Sequence, residues 1–328
     1  MNCRFETGVI SGKEPFRQSV PIVESCFRWI CMGKWIAIIW CCSIMALMTC
    51  SRREPDRTGK MLIYVSVPPQ KFFVDKLCGE SCTVKSLIPP GASPHTFEPR
   101  PSQMADLADA TLYFAVGVEM EQVWLPRIRE INPHLRIVRT DSGISKLSMH
   151  SFESDGGKEE HHISPHGTIH SDPHIWLSPA LVKSQIRTMV EALGTVDSAH
   201  HQWYRRRLVE FEASIDTVEQ KTALLLASCG SRRSFLTIHP SWGYFADAFN
   251  LKQIAVEVEG KEPGIRELGK IVAYARNEQC DRIVIQPQFS RKMARMIADK
   301  ISADVVVADP LAEDWDRNLL RLAKALCK

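Results

Sequence analysis

The sequence predicts an α/β protein of two βα lobes with parallel sheets, joined by one long rigid helix. Three observations predict it. Short apolar, strand-like runs alternate with helix-like segments from Met61 to Val116. The same alternation resumes beyond Cys229. Between the two, from Asp197 to Ala227, no Gly or Pro interrupts a helical pattern. At 328 residues the chain is also too long for one ordinary core and suits two.

The first lobe is read over 61–196. Met61–Val67 alternates and runs apolar as a strand does, and Pro68-Pro69 ends it. A helix follows over Lys71–Leu77, then a strand over Thr83–Ile88. The Pro- and Gly-bearing stretch Pro89–Pro99 is a loop, Ser102–Ala108 a helix, and Thr111–Val116 a strand. Residues 150–173 break the pattern. They hold Asp155-Gly156-Gly157 and His150, His161, His162, His166 and His170 with almost no apolar content, the composition of a surface loop. Order returns at Ile175-Trp176-Leu177, where Ser178 and Pro179 suit an N-cap and a first helical position. Residues 197–228 form the linking helix, with Trp203, Leu208, Phe211, Ile215, Val218 and Leu224 at helical spacing. About 30 helical residues reach roughly 45 Å, enough for a strut. The second lobe, 229–328, has strands at Phe235–Ile238, Ile254–Val256, Arg282–Ile285 and Val305–Val307. Helices at Ile265–Arg276 and Arg291–Ile301 separate them.

Composition narrows the function. There are 41 Lys and Arg against 38 Asp and Glu, and residues 1–50 hold five and three of these, so the body is nearly neutral. A neutral body argues against a phosphate-driven nucleic-acid binder. The apolar stretch 35–49 is 15 residues long, short of the ~20 that span a bilayer. Lys34 precedes it and Cys50 ends it, the layout of an export signal. Met32 makes a natural signal start, which leaves 1–31 as a misassigned upstream stretch. Residues 51–60, polar and aperiodic, read as a tether.

Three histidines stand out by position. His95 follows the strand Thr83–Ile88, His174 precedes a helix start, and His239 ends the strand-like FLTIH. Asp309 likewise ends DVVVAD before Pro310. They are 79, 65 and 70 residues apart, so they belong to different βα units and can meet only in a cleft at the C-terminal ends of strands. Three imidazoles and one carboxylate match the ligand set of four-coordinate zinc and leave no open position for a catalytic water. The His-bearing loop is either a weak metal-capturing arm or an inert spacer.

The strings PPGASPHTFEPRPSQM, DPHIWLSP, IHPSWGYFADAFNL, EGKEPGIREL, QPQFS and ADPL occur in this order. Together they resemble the zinc/manganese substrate-binding proteins of ABC importers, from Met61 to the C-terminus. The resemblance implies metal between the two lobes, with His95, His174 and His239 at ligand positions. Histidine at the third of these resembles the zinc-receptor subgroup, and a manganese or iron receptor of the same fold is the alternative. Asp309 matches the common fourth position, with Glu313 or water as substitutes, and Glu259 and Glu262 are supporting residues. The resemblance implies zinc as transported ligand, and a membrane permease with its cytoplasmic ATPase as partner. Further expectations are a monomer and a location in the periplasm or on the outer face of the cytoplasmic membrane. The local Leu-Met-Thr-Cys resembles a lipobox, which would place a lipid anchor on Cys50.

The rivals are a zinc enzyme and a metal-stabilised surface adhesin. No HExxH helix motif supports the enzyme. Five cysteines follow Cys50, an odd number that leaves a thiol over. By the resemblance, Cys280 and Cys327 are expected to form a disulfide closing the second lobe. Cys78 and Cys82, four apart across Gly79, could form a local bridge, which would leave Cys229 unpaired.

Overall fold

The computed structural model describes residues 59–149, 171–230, 233–257 and 263–328. The export segment, Cys50, most of the tether and His150, His161, His162, His166 and His170 lie outside the described residues, as do Glu259 and Glu262. No helix among the described residues is long and apolar enough to cross a membrane.

The first sheet comprises β1 (Met61–Val65), β2 (Cys82–Ser86), β3 (Leu112–Ala115) and β4 (Arg136–Arg139), in the order β2-β1-β3-β4. The second comprises β5 (Ser234–Thr237), β6 (Lys252–Ala255), β7 (Arg282–Ile285) and β8 (Asp304–Val307), in the order β6-β5-β7-β8. Every pairing is parallel. The two sheets therefore share one topology, and each reverses its winding beside its first strand. In open parallel sheets that reversal leaves a crevice at the carboxyl edge.

Helices α1 (Pro68–Cys78), α2 (Pro101–Leu107) and α3 (Glu119–Ile131) belong to the first sheet. Helix α1 begins three residues before the expected Lys71, because the proline pair that ends β1 also fits the first helical turn, where an N–H is dispensable. Helix α4 (Pro179–Val196) starts with Ser178 extended and Pro179 at its first position, as its sequence requires.

The long helix α5 (His201–Ala227) is slightly shorter than the pattern predicts, because a 3-10 turn over Ser198–His200 precedes it. Asp197 holds that turn by accepting from the Tyr204 hydroxyl at 2.7 Å and pairing with His200 at 2.9 Å. With 27 residues it reaches roughly 40 Å. Tyr204, Phe211, Ile215, Val218, Thr222 and Leu226 form its buried face. The remaining helices are α6 (Gly243–Ala248), α7 (Ile265–Asn277), α8 (Arg291–Ile301) and α9 (Trp315–Leu326).

The larger apolar core does not stop at the boundary between the sheets. It runs from the first sheet through α1, α4 and α5 into Phe235, Trp242 and Phe245, and on to Trp315, Leu319 and Leu322 of α9. A smaller core lies between the second sheet, α7 and α8. Helix α9 thus closes the chain against the long helix.

The cysteines differ from expectation. Cys327 is bonded to Cys229, with Cα atoms 4.7 Å apart, and Cys280 is a free thiol. The cores explain the partner. Cys327 packs on the larger core beside the end of α5, whereas Cys280 is buried in the smaller core at the start of β7. Burial pushes the Cys280 thiol up to about 12. Cys78 and Cys82 are also free and buried, with Ser81 Oγ 3.6 Å from Cys82 Sγ, so the local bridge is absent too. Cys229, expected to be unpaired, is the one that pairs.

Candidate metal centre

The three histidines predicted from sequence sit beside ordered elements: His95 in the loop after β2, His174 at the start of the 3-10 turn Ile175–Leu177, and His239 just past β5. After β2 the chain extends the ladder by Leu87 N–H to Val65 O at 2.8 Å and Ile88 N–H to Ser66 O at 3.1 Å. Only then does it turn through the proline-rich loop that carries His95. His174 follows Asp172-Pro173, and Asp172 Oδ1 accepts the His174 backbone N–H at 2.8 Å, a local turn that fixes the segment. His239 lies two residues beyond β5, its carbonyl accepting from the Thr237 hydroxyl at 2.8 Å.

The imidazoles converge. His95 and His239 have ring centroids 4.8 Å apart, and His174 and His239 5.7 Å. Phe289 stacks on His239 at 5.9 Å with planes 14° apart, and Trp176 meets the His174 ring edge-on at 5.2 Å.

Every one of these rings is bound at Nδ1 by a carboxylate. Glu119 Oε2 lies 2.9 Å from His95 Nδ1, Asp172 Oδ1 2.6 Å from His174 Nδ1, and Glu257 Oε2 2.8 Å from His239 Nδ1. A neutral imidazole donating from Nδ1 to a carboxylate carries its lone pair on Nε2, so the three partners dictate one tautomer. His95 Nε2 and His239 Nε2 stand 3.1 Å apart. Two lone pairs facing each other at that distance repel unless a cation lies between them. Zinc–nitrogen bonds of 2.0–2.1 Å at a tetrahedral angle would separate the two nitrogens by about 3.3 Å.

Burial holds His174 below the usual imidazole range; Asp172 opposes the shift, and the neighbouring His239 and His95 reinforce it. Asp309 sits in the turn after β8. Burial pushes its carboxyl above the usual range, against the Leu311 backbone N–H at 2.9 Å and the Gln288 side chain. None of the contacts described for Asp309 is to an imidazole. Glu313 is engaged elsewhere, in an ion pair with Lys71 of α1 at 2.7 Å.

The partner carboxylates Glu119, Asp172 and Glu257 escape a sequence reading built on the histidines. Asp172 had a signal, two residues before His174 in an Asx turn. Glu119 opens α3 just after β3, and Glu257 ends the run beyond β6, two residues before the expected Glu259.

Residues 63–324 match the family model described as "ZnuA: Zinc-uptake complex component A periplasmic". The chain belongs to the ZnuA family. Among curated proteins, this ZnuA-family chain is 27% identical over 282 residues to the high-affinity zinc uptake system protein ZnuA of Bacillus subtilis, covering 82% of this chain and 86% of that one. A crystal structure of ZnuA superposes with a TM-score of 0.73 at 35% identity, covering 82% of this chain and 98% of that chain. A ZnuA deletion mutant with zinc bound matches with the same TM-score and identity, covering 82% and 97%. ZnuA membership accounts for the paired four-stranded sheets and the long helix between them.

Proposed function

We propose that the protein is an extracytoplasmic receptor that captures zinc and hands it to an ABC-type importer, with His95, His174 and His239 as three ligands and Asp309 as the fourth. The observation that carries this reading is the 3.1 Å approach of two Nε2 atoms whose opposite ring nitrogens are each committed to a carboxylate. Such a pair is arranged to receive a cation. Neutral imidazoles with one carboxylate suit zinc better than the oxygen-rich shells preferred by manganese. The reading is of a receptor, since the three neighbouring carboxylates orient ligands and are not placed as free general bases.

Its partner on this reading is a membrane permease with a cytoplasmic ATPase. On this reading the receptor works as a monomer in the periplasm or on the outer face of the cytoplasmic membrane, held by lipid on Cys50. The test is elemental mass spectrometry of the purified protein with zinc and manganese in competition. Zinc in one-to-one ratio, lost in His95→Ala, His174→Ala and His239→Ala, is the expected result. Preferential manganese, or full zinc occupancy in any one variant, refutes the assignment it concerns.

A further inference from the structure

Two buried tryptophans join the segment that carries His174 to the turn that carries Asp309. Trp176 lies in the 3-10 turn Ile175–Leu177, and its indole Nε1–H donates to Pro310 O at 2.7 Å. Trp315 opens α9, and its indole Nε1–H donates back to Trp176 O at 2.6 Å. Neither ring is more than 1% exposed. Each bond spans more than 130 residues of chain, and together they close a ring of contacts between 174–176 and 309–315.

Both ends of that ring are anchored. The Trp176 and His174 rings meet edge-on at 5.2 Å. Trp315 meets Phe73 of α1 edge-on at 5.5 Å, inside the larger core. Asn318 Nδ2 donates to Asp309 O at 2.7 Å, and Leu311 N–H to Asp309 Oδ1 at 2.9 Å, so the turn is braced from within as well. Asp309 follows a strand of the second sheet, yet the segment it opens is held by α1, through Phe73 on Trp315 and Lys71 on Glu313, and by the His174 segment.

We propose that Trp176 and Trp315 are positioning residues: their reciprocal indole bonds lock the His174 segment to the Asp309 turn, and this lock governs how slowly bound zinc leaves. The inference rests on the assignment of Asp309 as a ligand. Binding geometry tolerates displacements of only about 0.5 Å, and a bond to the neighbouring residue is what supplies that tolerance. A phenylalanine in either place keeps the ring and removes the donor, leaving a buried carbonyl without its partner.

The experiment uses the full chain loaded with zinc, with release followed after mixing with excess chelator. Trp176→Phe and Trp315→Phe should each speed release by about tenfold or more, the usual effect of losing a partner behind a ligand. Either variant breaks one bond, so one that folds is enough. The decisive readout is a double-mutant cycle. In an Asp309→Ala background the same substitutions should add less than about twofold, because the group they position is gone. Cobalt substitution gives an independent readout, since the Trp variants should shift the ligand-field spectrum toward that of Asp309→Ala.

Unchanged release in the Trp variants overturns the lock, as does an equal acceleration with and without Asp309. If Asp309→Ala alone leaves zinc release unchanged, the lock and the fourth-ligand assignment both fail while the three-histidine receptor stands. A wild-type chain that binds no zinc refutes the receptor reading itself.

Discussion

His174 and His239 rest on carboxylates that water hardly reaches, Asp172 being 3% exposed and Glu257 10%, whereas His95 rests on Glu119, which is 49% exposed. The bond lengths hardly differ: 2.6 and 2.8 Å for the inner pairs, 2.9 Å for the outer one. Their surroundings do. A charge-assisted bond in a desolvated site is strong when made and costly when half of it is removed, and the same bond in water is worth little. On the proposed zinc reading, the inner pair is therefore a preformed, buried half-site. The outer pair is an arm on the Pro89–Pro99 loop that completes it. Distance alone does not reveal this difference.

Replacing an inner histidine should have the largest effect. His174→Ala and His239→Ala should each lower zinc affinity by orders of magnitude. They should also destabilise the metal-free protein by about 3 kcal/mol, since each takes the imidazole partner from a buried carboxylate. His95→Ala should lower affinity too while leaving metal-free stability nearly unchanged. Chelator competition and thermal denaturation of the metal-free protein separate the two. Equal loss of stability in all three variants would break the distinction between inner and outer pairs.

The carboxylates come next. Asp172→Asn and Glu257→Gln replace a charged, acceptor-only carboxylate by a neutral amide that can also donate, which loosens the hold on each tautomer, and each should weaken zinc by about 10- to 100-fold. Glu119→Gln, at a half-exposed position, should change affinity by no more than a few-fold. Calorimetric titration with zinc checks the ranking, and a Glu119 effect as large as that of Asp172 would show that exposure is not what matters.

Acid should act on the inner pair in a defined direction. Burial keeps the folded-state pKa of His174 below the ordinary imidazole value of about 6.5. Between the two values the unfolded chain binds the proton and the folded chain does not. The stability contributed by the neutral ring is therefore full above the ordinary value and is lost as pH falls through the folded one. Because zinc needs neutral imidazole, its affinity should fall steeply below about pH 6. Melting and zinc titration from pH 7.5 to 5 test this, and a flat affinity would point to carboxylate ligands instead.

The sequence was legible where local patterns decide structure. Strand ends near Pro68 and Pro240, and the uninterrupted stretch that became α5, were readable, and so were all strands but the half-exposed edge strand β4 (Arg136–Arg139). It was less legible where partners are chosen in three dimensions. Cys229 and Cys327 are 98 residues apart and pair because α5 and α9 end side by side, which no spacing encodes. Glu119 and Glu257 act on histidines 24 and 18 residues away. Such pairs depend on which strand lies beside which. The Trp176–Trp315 contact is of the same kind, tying two motifs that look independent in the sequence.

The smallest expected effect lies at the His-bearing loop, whose chain interior is outside the described residues. The segments on either side of 150–170 are described, and both are fixed. Ser148 and Ser171 form an isolated antiparallel bridge, and Asp172 N–H donates to Leu147 O at 2.8 Å. Tyr244 adds a clamp from α6: its hydroxyl accepts the Leu147 N–H at 3.0 Å and donates to Asp172 O at 3.0 Å. Deleting 155–170 would shorten the chain between these anchors without touching them, and lengthening or shortening a closed loop changes its closure entropy only weakly. Tight zinc binding and metal-free stability should therefore stay within about twofold and about 1 kcal/mol of the parent, while any weaker, additional zinc sites disappear. Calorimetry with a stepwise zinc titration resolves the two classes. Loss of the tight site would mean that the loop supplies a ligand, and that the inner half-site of His174 and His239 is not complete without it.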